Sequence, residues 1–136
     1  MDKLTPERRS ANMARIRSHG TKPEMAVRQL AHRLGYRYQL HRKDLPGTPD
    51  LVFPGRRAII FVHGCFWHQH PEPACKDSAL PKSRPEYWLP KLQRNQQRDS
   101  QNMDALVQDG WRVLIIWECE THDEEELAQT LHSFLA

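Results

Sequence analysis

Apolar residues recur at helical spacing in two parts of this chain and at strand spacing in several others. Val27, Leu30, Ala31 and Leu34 form one stripe of a helix that Thr21-Lys22-Pro23-Glu24 opens as a capping box and Gly35 closes. Tyr36, Tyr38 and Leu40 then alternate with Arg37, Gln39 and His41, the period of a half-buried strand. Leu45–Pro49 is a proline-glycine loop leading into a strand over Asp50–Phe53, and Pro54-Gly55 turns the chain back. Ala58–Val62 is a continuous apolar run, as expected of a central strand buried on both faces. His63–Lys82 is irregular, punctuated by Pro71, Pro73 and Pro81. Ser83-Arg84-Pro85-Glu86 opens a long helix to Asp109 that Pro90 is predicted to kink or restart and Gly110 closes. Arg112–Trp117 reads as a second buried strand, and Thr121-x-x-Glu124 caps a last helix with Leu127, Leu131 and Phe134 inward.

The three short-linked strands predict an antiparallel meander. The long helix then crosses over to a fourth strand that lies most easily parallel to one of them. The expectation is an α/β, three-layer core with a mixed central sheet, in one domain spanning residues 1–136. Thr5-Pro6-Glu7 starts a further helix over about Pro6–Arg17, but its only large apolar residues are Met13 and Ile16. Arg8, Arg9, Arg15 and Arg17 make it a basic helix rather than a core one, and residues 1–20 are expected to contact a polyanion.

Charge sharpens that expectation. The formal net charge is only +3, yet residues 1–43 hold 11 basic and 3 acidic side chains while residues 101–136 hold 1 and 8. A basic first third and an acidic last third fit a polyanion held by one face and avoided by another. No apolar run approaches the ~20 residues of a bilayer span, and the opening MDKLTPERRS has no apolar signal core. A cytoplasmic chain without membrane association is therefore expected. Cys65, Cys75 and Cys119 cannot pair off completely, which points to a role other than disulfides.

Candidate chemistry concentrates in a few places. His63, Cys65, His68, His70 and Cys75 fall within thirteen residues, and Cys119 follows the second buried strand, where it could return to the same place. Three cysteines and one histidine would make a closed structural zinc site, with spacing alone leaving open which histidine is the fourth ligand. Asp50 enters a strand one hairpin earlier. With Glu24 on the preceding helix it could assemble a hard oxygen site for Mg²⁺. Asn95 and Asp99 lie four apart on one face of the long helix. Phe66 and Trp67, in a loop, and Trp88, near the start of that helix, are candidates for an apolar wedge between base pairs.

Several runs together resemble the very short patch repair (Vsr) endonucleases. These are Arg9-Ser-Ala-Asn-Met13, Pro46-Gly-Thr-Pro-Asp50, Ile60-Phe-Val-His-Gly-Cys-Phe-Trp-His68, and Pro81-Lys82-Ser83 with Trp88, Lys91, Asn95 and Arg98-Asp99. The last is Gly110-Trp-Arg-Val-Leu-Ile-Ile-Trp-Glu-Cys119. The resemblance runs from Thr5 to about Phe134. It implies a restriction-endonuclease-like fold and an enzyme that nicks one strand beside a T·G mismatch, the product of 5-methylcytosine deamination.

By position it implies Asp50 and the Val62 backbone carbonyl as Mg²⁺ ligands and His68 as general base. His63 and Asp99 would hold water near the leaving group, and Glu24 would support the site. Zn²⁺ falls to Cys65, His70, Cys75 and Cys119. Phe66, Trp67 and Trp88 would form the wedge, Met13 would press from the N-terminal helix, and Lys91 and Asn95 would contact DNA. The implied setting is a monomer in the bacterial cytoplasm, acting on double-stranded DNA of the nucleoid alongside mismatch-repair proteins. Two other readings fit the same residues: a zinc-stabilised mismatch-binding module without catalysis, and a restriction-like nuclease of other specificity.

Overall fold

In the computed structural model, residues 21–66, 68–70 and 85–136 are described. The basic helix expected over Pro6–Arg17, with Met13, lies outside the described residues, as do Trp67, Cys75 and the Ser83 cap. Helix α1 (Lys22–Arg33) begins as its sequence dictates: the Thr21 side chain accepts from the Glu24 N–H at 3.3 Å, with Pro23 in the first turn. It ends in a Schellman motif, with Gly35 at φ 94°. The Gly35 N–H bonds the His32 carbonyl, and the Tyr36 N–H bonds that of Ala31. This turn decides one difference from the hydrophobic pattern. Leu34 caps the helix and is exposed, while Tyr36, carried back across the helix end, is buried.

The chain then forms β1 (Gln39–Leu40), β2 (Leu51–Phe53), β3 (Ala58–His63), α2 (Pro85–Gln108), β4 (Arg112–Trp117) and α3 (Glu124–Leu135). Short 3₁₀ turns cover Pro54–Arg56 and Glu118–Thr121. The sheet order is β1-β2-β3-β4, antiparallel between β1, β2 and β3 and parallel between β3 and β4. The linkers predicted the meander and a parallel fourth strand, and the structure places that strand beside β3. β1 is shorter than the alternation from Tyr36 to His41 implied, because His41 takes a left-handed backbone, φ 48°, and ends the pairing.

Each face of the sheet has its own core. On one side Val27, Leu30 and Ala31 of α1 and Leu127, Leu131 and Leu135 of α3 pack with Leu51, Phe53, Ile60 and Ile116. On the other, Leu106 at the end of α2 and Trp111 beyond it meet Val52, Ile59 and Phe61. Alternate residues of β2 and β3 thus serve opposite layers, the period-two geometry of a sheet covered on both faces. The result is a three-layer mixed α/β core that fits a restriction-endonuclease-like fold. No helix among the described residues is long and apolar enough to cross a membrane.

Three local expectations differ. Helix α2 runs unbroken through Pro90, which lies in its second turn, where the lost N–H removes only one early intrahelical bond. Asp123, not Thr121, caps α3: its side chain accepts from the Glu126 N–H at 3.2 Å, while the Thr121 hydroxyl donates to the Glu118 carbonyl. With that start Leu135 completes the buried stripe. Phe134 sits half-buried at its edge beneath the Arg112 guanidinium.

Candidate active site

The site lies where strands end. β3 and β4 run parallel with His63 opposite Trp117, so both chains leave the sheet at the same edge and deliver His63, Cys65, Trp117 and Cys119 side by side. β2 runs the other way and starts at Leu51 opposite Ile60, which places Asp50 at that same edge. Residues far apart in sequence meet there because one strand enters the sheet where two others leave it.

Asp50 is buried, and its Oδ2 accepts from the Val62 N–H at 2.7 Å. In an extended strand a residue's N–H and C=O point to the same side, so the Val62 carbonyl faces the Asp50 side too. Glu24, 1% exposed, stands behind Asp50 from α1. Burial, with the nearby Glu24 carboxylate adding to it, pushes the Asp50 carboxyl up to about 8, against the Val62 hydrogen bond. A hard cation would reverse that balance. The donor set of two buried carboxylates and a strand carbonyl has the oxygen chemistry Mg²⁺ takes.

A group raised from 3.8 to about 8 on folding contributes stability that is present at low pH and lost as pH rises through about 8. Asp50→Asn keeps an acceptor for the Val62 N–H and removes the charge. In EDTA its melting temperature should therefore match the wild type near pH 4 and exceed it by roughly 10 °C or more at pH 8. Calorimetry across that range checks this, and a variant less stable than wild type at pH 8 would refute it.

Beside Asp50, His63 is buried and stacks on His68, ring centroids 3.8 Å apart and 8° from parallel. Burial lowers the His63 imidazole to about 4, with His68 adding to the effect and Asp99 opposing it, so it is neutral at cellular pH. Its Nδ1 has no hydrogen-bond partner among the described residues. His68 Nδ1 meets Asp99 Oδ2 at 2.5 Å, joining the loop after β3 to α2. A cavity of about 840 Å³ opens over Asp50, Val62, His63, His68 and Asp99. Lys91, Asn95 and Arg98 line it from α2, with Arg98 donating to the Asn95 side-chain oxygen.

Phe66 stands at the same mouth, edge-on to Trp88 with centroids 5.3 Å apart. Tyr87 next to Trp88 is exposed and lies 5.7 Å from the Lys91 ammonium. An aromatic edge thus borders a basic, polar groove.

Just past the cavity, His70 sits with two cysteines. Its Nδ1 is 3.8 Å from Cys65 Sγ and 3.4 Å from Cys119 Sγ, and the Cys119 N–H reaches Cys65 Sγ at 3.4 Å. The His70 ring stacks on Trp117, centroids 4.4 Å apart. The two histidines left open by spacing are thereby separated: His70 faces the thiols, and His68 faces Asp99. Two thiols and an imidazole have the donor chemistry zinc takes.

One residue at the site escaped the sequence reading. His41 Nε2 lies 2.9 Å from Glu24 Oε2, and its N–H reaches the Asp50 carbonyl at 3.4 Å. The alternation put His41 on the outer face of β1. Its left-handed backbone turns it inward, and nothing in the local pattern marks that turn.

A mixed α/β core of this topology, with acids and histidines gathered at one end of the strands, fits a restriction-endonuclease-like fold. The profile of the family described as DNA mismatch endonuclease Vsr matches residues 1–74. The chain is 53% identical over 134 residues to the type II nicking enzyme V.XorIIP of Xanthomonas oryzae pv. oryzae, covering 98% of this chain and 96% of that protein. It is 40% identical over 126 residues to the DNA mismatch endonuclease Vsr of Escherichia coli K12, covering 93% and 77%. The type II nicking enzyme V.NmeAIP of Neisseria meningitidis is 39% identical over 119 residues, covering 88% and 83%. This chain belongs to the Vsr family of DNA mismatch endonucleases.

Proposed function

We propose that this protein is a Mg²⁺-dependent endonuclease that nicks one strand of duplex DNA beside a T·G mismatch arising from 5-methylcytosine deamination. It would act as a monomer in very short patch repair, upstream of other mismatch-repair proteins. The observation that carries this reading is one cavity bordered by Asp50, Val62, the stacked His63–His68 pair and Asp99, with a basic face and an aromatic edge beside it. Family membership supports the same reading.

Each residue has a role its surroundings suit. His68 is the general base. Asp99 accepts from Nδ1–H, which fixes the tautomer and leaves Nε2 to take the proton of the attacking water. Asp99 also stabilises the imidazolium that forms, and His63, held neutral, presents a polar face to water near the leaving oxygen. Asp50 and the Val62 carbonyl would hold Mg²⁺, with Glu24 supporting them from α1. When bound, the ion supplies Lewis-acid stabilisation of charge on the phosphate and the leaving oxygen.

Lys91 and Arg98 place the strand by its phosphates, and Asn95 adds a donor and an acceptor. Phe66 and Trp88, with Trp67 and Met13, wedge into the mispaired step, which costs less to unstack than a paired one. Cys65, His70, Cys75 and Cys119 would hold Zn²⁺, which would pin the loop carrying His68 and Phe66.

A binding module without catalysis would have no use for a buried acid at a strand end or for a histidine anchored by a carboxylate. Two duplexes of one sequence, one T·G and one C·G, test the specificity. The T·G duplex should be nicked in one strand with Mg²⁺ and the paired duplex spared, whereas equal cutting of both removes the mismatch from the function.

A further inference from the structure

We infer that His41 is a ligand of the cation held at Asp50, making a site of two carboxylates and one imidazole that prefers Mn²⁺ to Mg²⁺. The inference rests on Asp50 being a metal ligand, as proposed above, and adds a donor from this chain that alters which ion the site selects. Three observations carry it. Ligand atoms of Glu24, His41 and Asp50 all lie within 4.8 Å of one another, and both carboxylates are more than nine-tenths buried. His41 Nε2 and Glu24 Oε2 are 2.9 Å apart, about the separation of adjacent ligands around an octahedral ion with bonds of about 2.1 Å. The Arg28 guanidinium, at 3.6 Å, is farther from the same oxygen than the imidazole is.

The third observation is conformational. His41 is held at φ 48°, a backbone region that L side chains seldom adopt, while its N–H is tied to the carbonyl of Asp50. Backbone in sparsely populated regions persists where the surrounding structure imposes it, and it gathers at ligand sites. Here it turns an imidazole from the outer face of β1 toward two buried acids.

Ligand chemistry then sets the preference. Mg²⁺ is bound through carboxylates, phosphates and retained waters, whereas first-row divalent ions gain affinity from imidazole nitrogen. Mn²⁺ keeps the taste for oxygen and accepts the nitrogen, so a site of two carboxylates and one histidine favours it.

The test titrates the full chain with Mn²⁺ alone, followed by electron paramagnetic resonance, with Mg²⁺ as competitor. His41→Gln keeps a side chain able to hydrogen-bond Glu24 but removes the imidazole. It should weaken Mn²⁺ about tenfold or more, weaken Mg²⁺ less than about twofold, and abolish the ¹⁴N coupling seen on Mn²⁺ in the wild type. His41→Asn, which tolerates the left-handed backbone better, repeats the measurement should the glutamine variant not fold. Asp50→Asn should abolish binding at this affinity. Unchanged Mn²⁺ affinity and coupling in His41→Gln, with loss in Asp50→Asn, overturns the inference and leaves the Asp50 reading standing. Binding that survives Asp50→Asn overturns both.

Discussion

Replacing His68 by alanine should slow nicking of a T·G duplex by about 10²–10⁴-fold at saturating Mg²⁺, with DNA affinity changed little. The expectation follows from where the side chain sits. Its Nδ1 is spent on Asp99, its ring stacks on neutral His63, and its other nitrogen serves the cavity that Asp50 borders. Removing it deletes the proposed proton acceptor without touching the aromatic edge or the basic face. Asp99→Asn should cost a comparable factor, because the imidazole stays in place but the amide can donate to Nδ1 and leave the proton on Nε2. Single-turnover rates on labelled duplex, beside a binding isotherm for each variant, separate the two effects. A rate for His68→Ala within threefold of the wild type removes His68 from the chemistry.

Cys119→Ser should act on both stability and rate. Cys65 is fully buried, and Cys119 and His70 close around it at the ends of two parallel strands. A structural zinc there would tie β4 to the loop that carries Phe66 and His68, so its loss would loosen the proposed catalytic base as well as the fold. A disrupted structural metal or core network commonly costs about 3–5 kcal/mol, roughly 10 °C or more in melting temperature for a chain of this size. Elemental analysis should give one zinc per chain for the wild type and almost none for Cys119→Ser. Chelation of the wild type should reproduce the variant's melting curve. A zinc-free wild type that melts unchanged in chelator would show that the three side chains are merely neighbours.

Both predictions depend on contacts that the sequence disclosed unevenly. The topology was legible because each strand carries its own signal: β3 and β4 are apolar runs, and the link between them is long enough for a crossover. That topology allowed Cys119 to return near Cys65, and the pairing of β4 with β3 and of β2 with β3 brings Cys119, Cys65 and Asp50 to one end of the sheet. Which histidine met which partner was not legible. His68 and His70 stand two residues apart in a loop without a period, and a tight turn decides that one faces Asp99 and the other the thiols. His41 was misplaced for a related reason. Alternation projects a side chain outward only while the backbone stays extended, and a single left-handed residue reverses it. Leu34 and Phe134 missed their layer because the helix ends, not the stripes, set their final turns.

The most direct measurement is strand-specific cleavage of a T·G duplex labelled at both 5′ ends, with Mg²⁺ and with EDTA, for wild type and Asp50→Asn. Wild type with Mg²⁺ should yield one labelled product from one strand, and EDTA or Asp50→Asn should yield none while the duplex remains bound. Tight binding of the mismatch by wild type, with no nick under Mg²⁺ or Mn²⁺, would contradict the proposed activity and make the protein a mismatch-binding module.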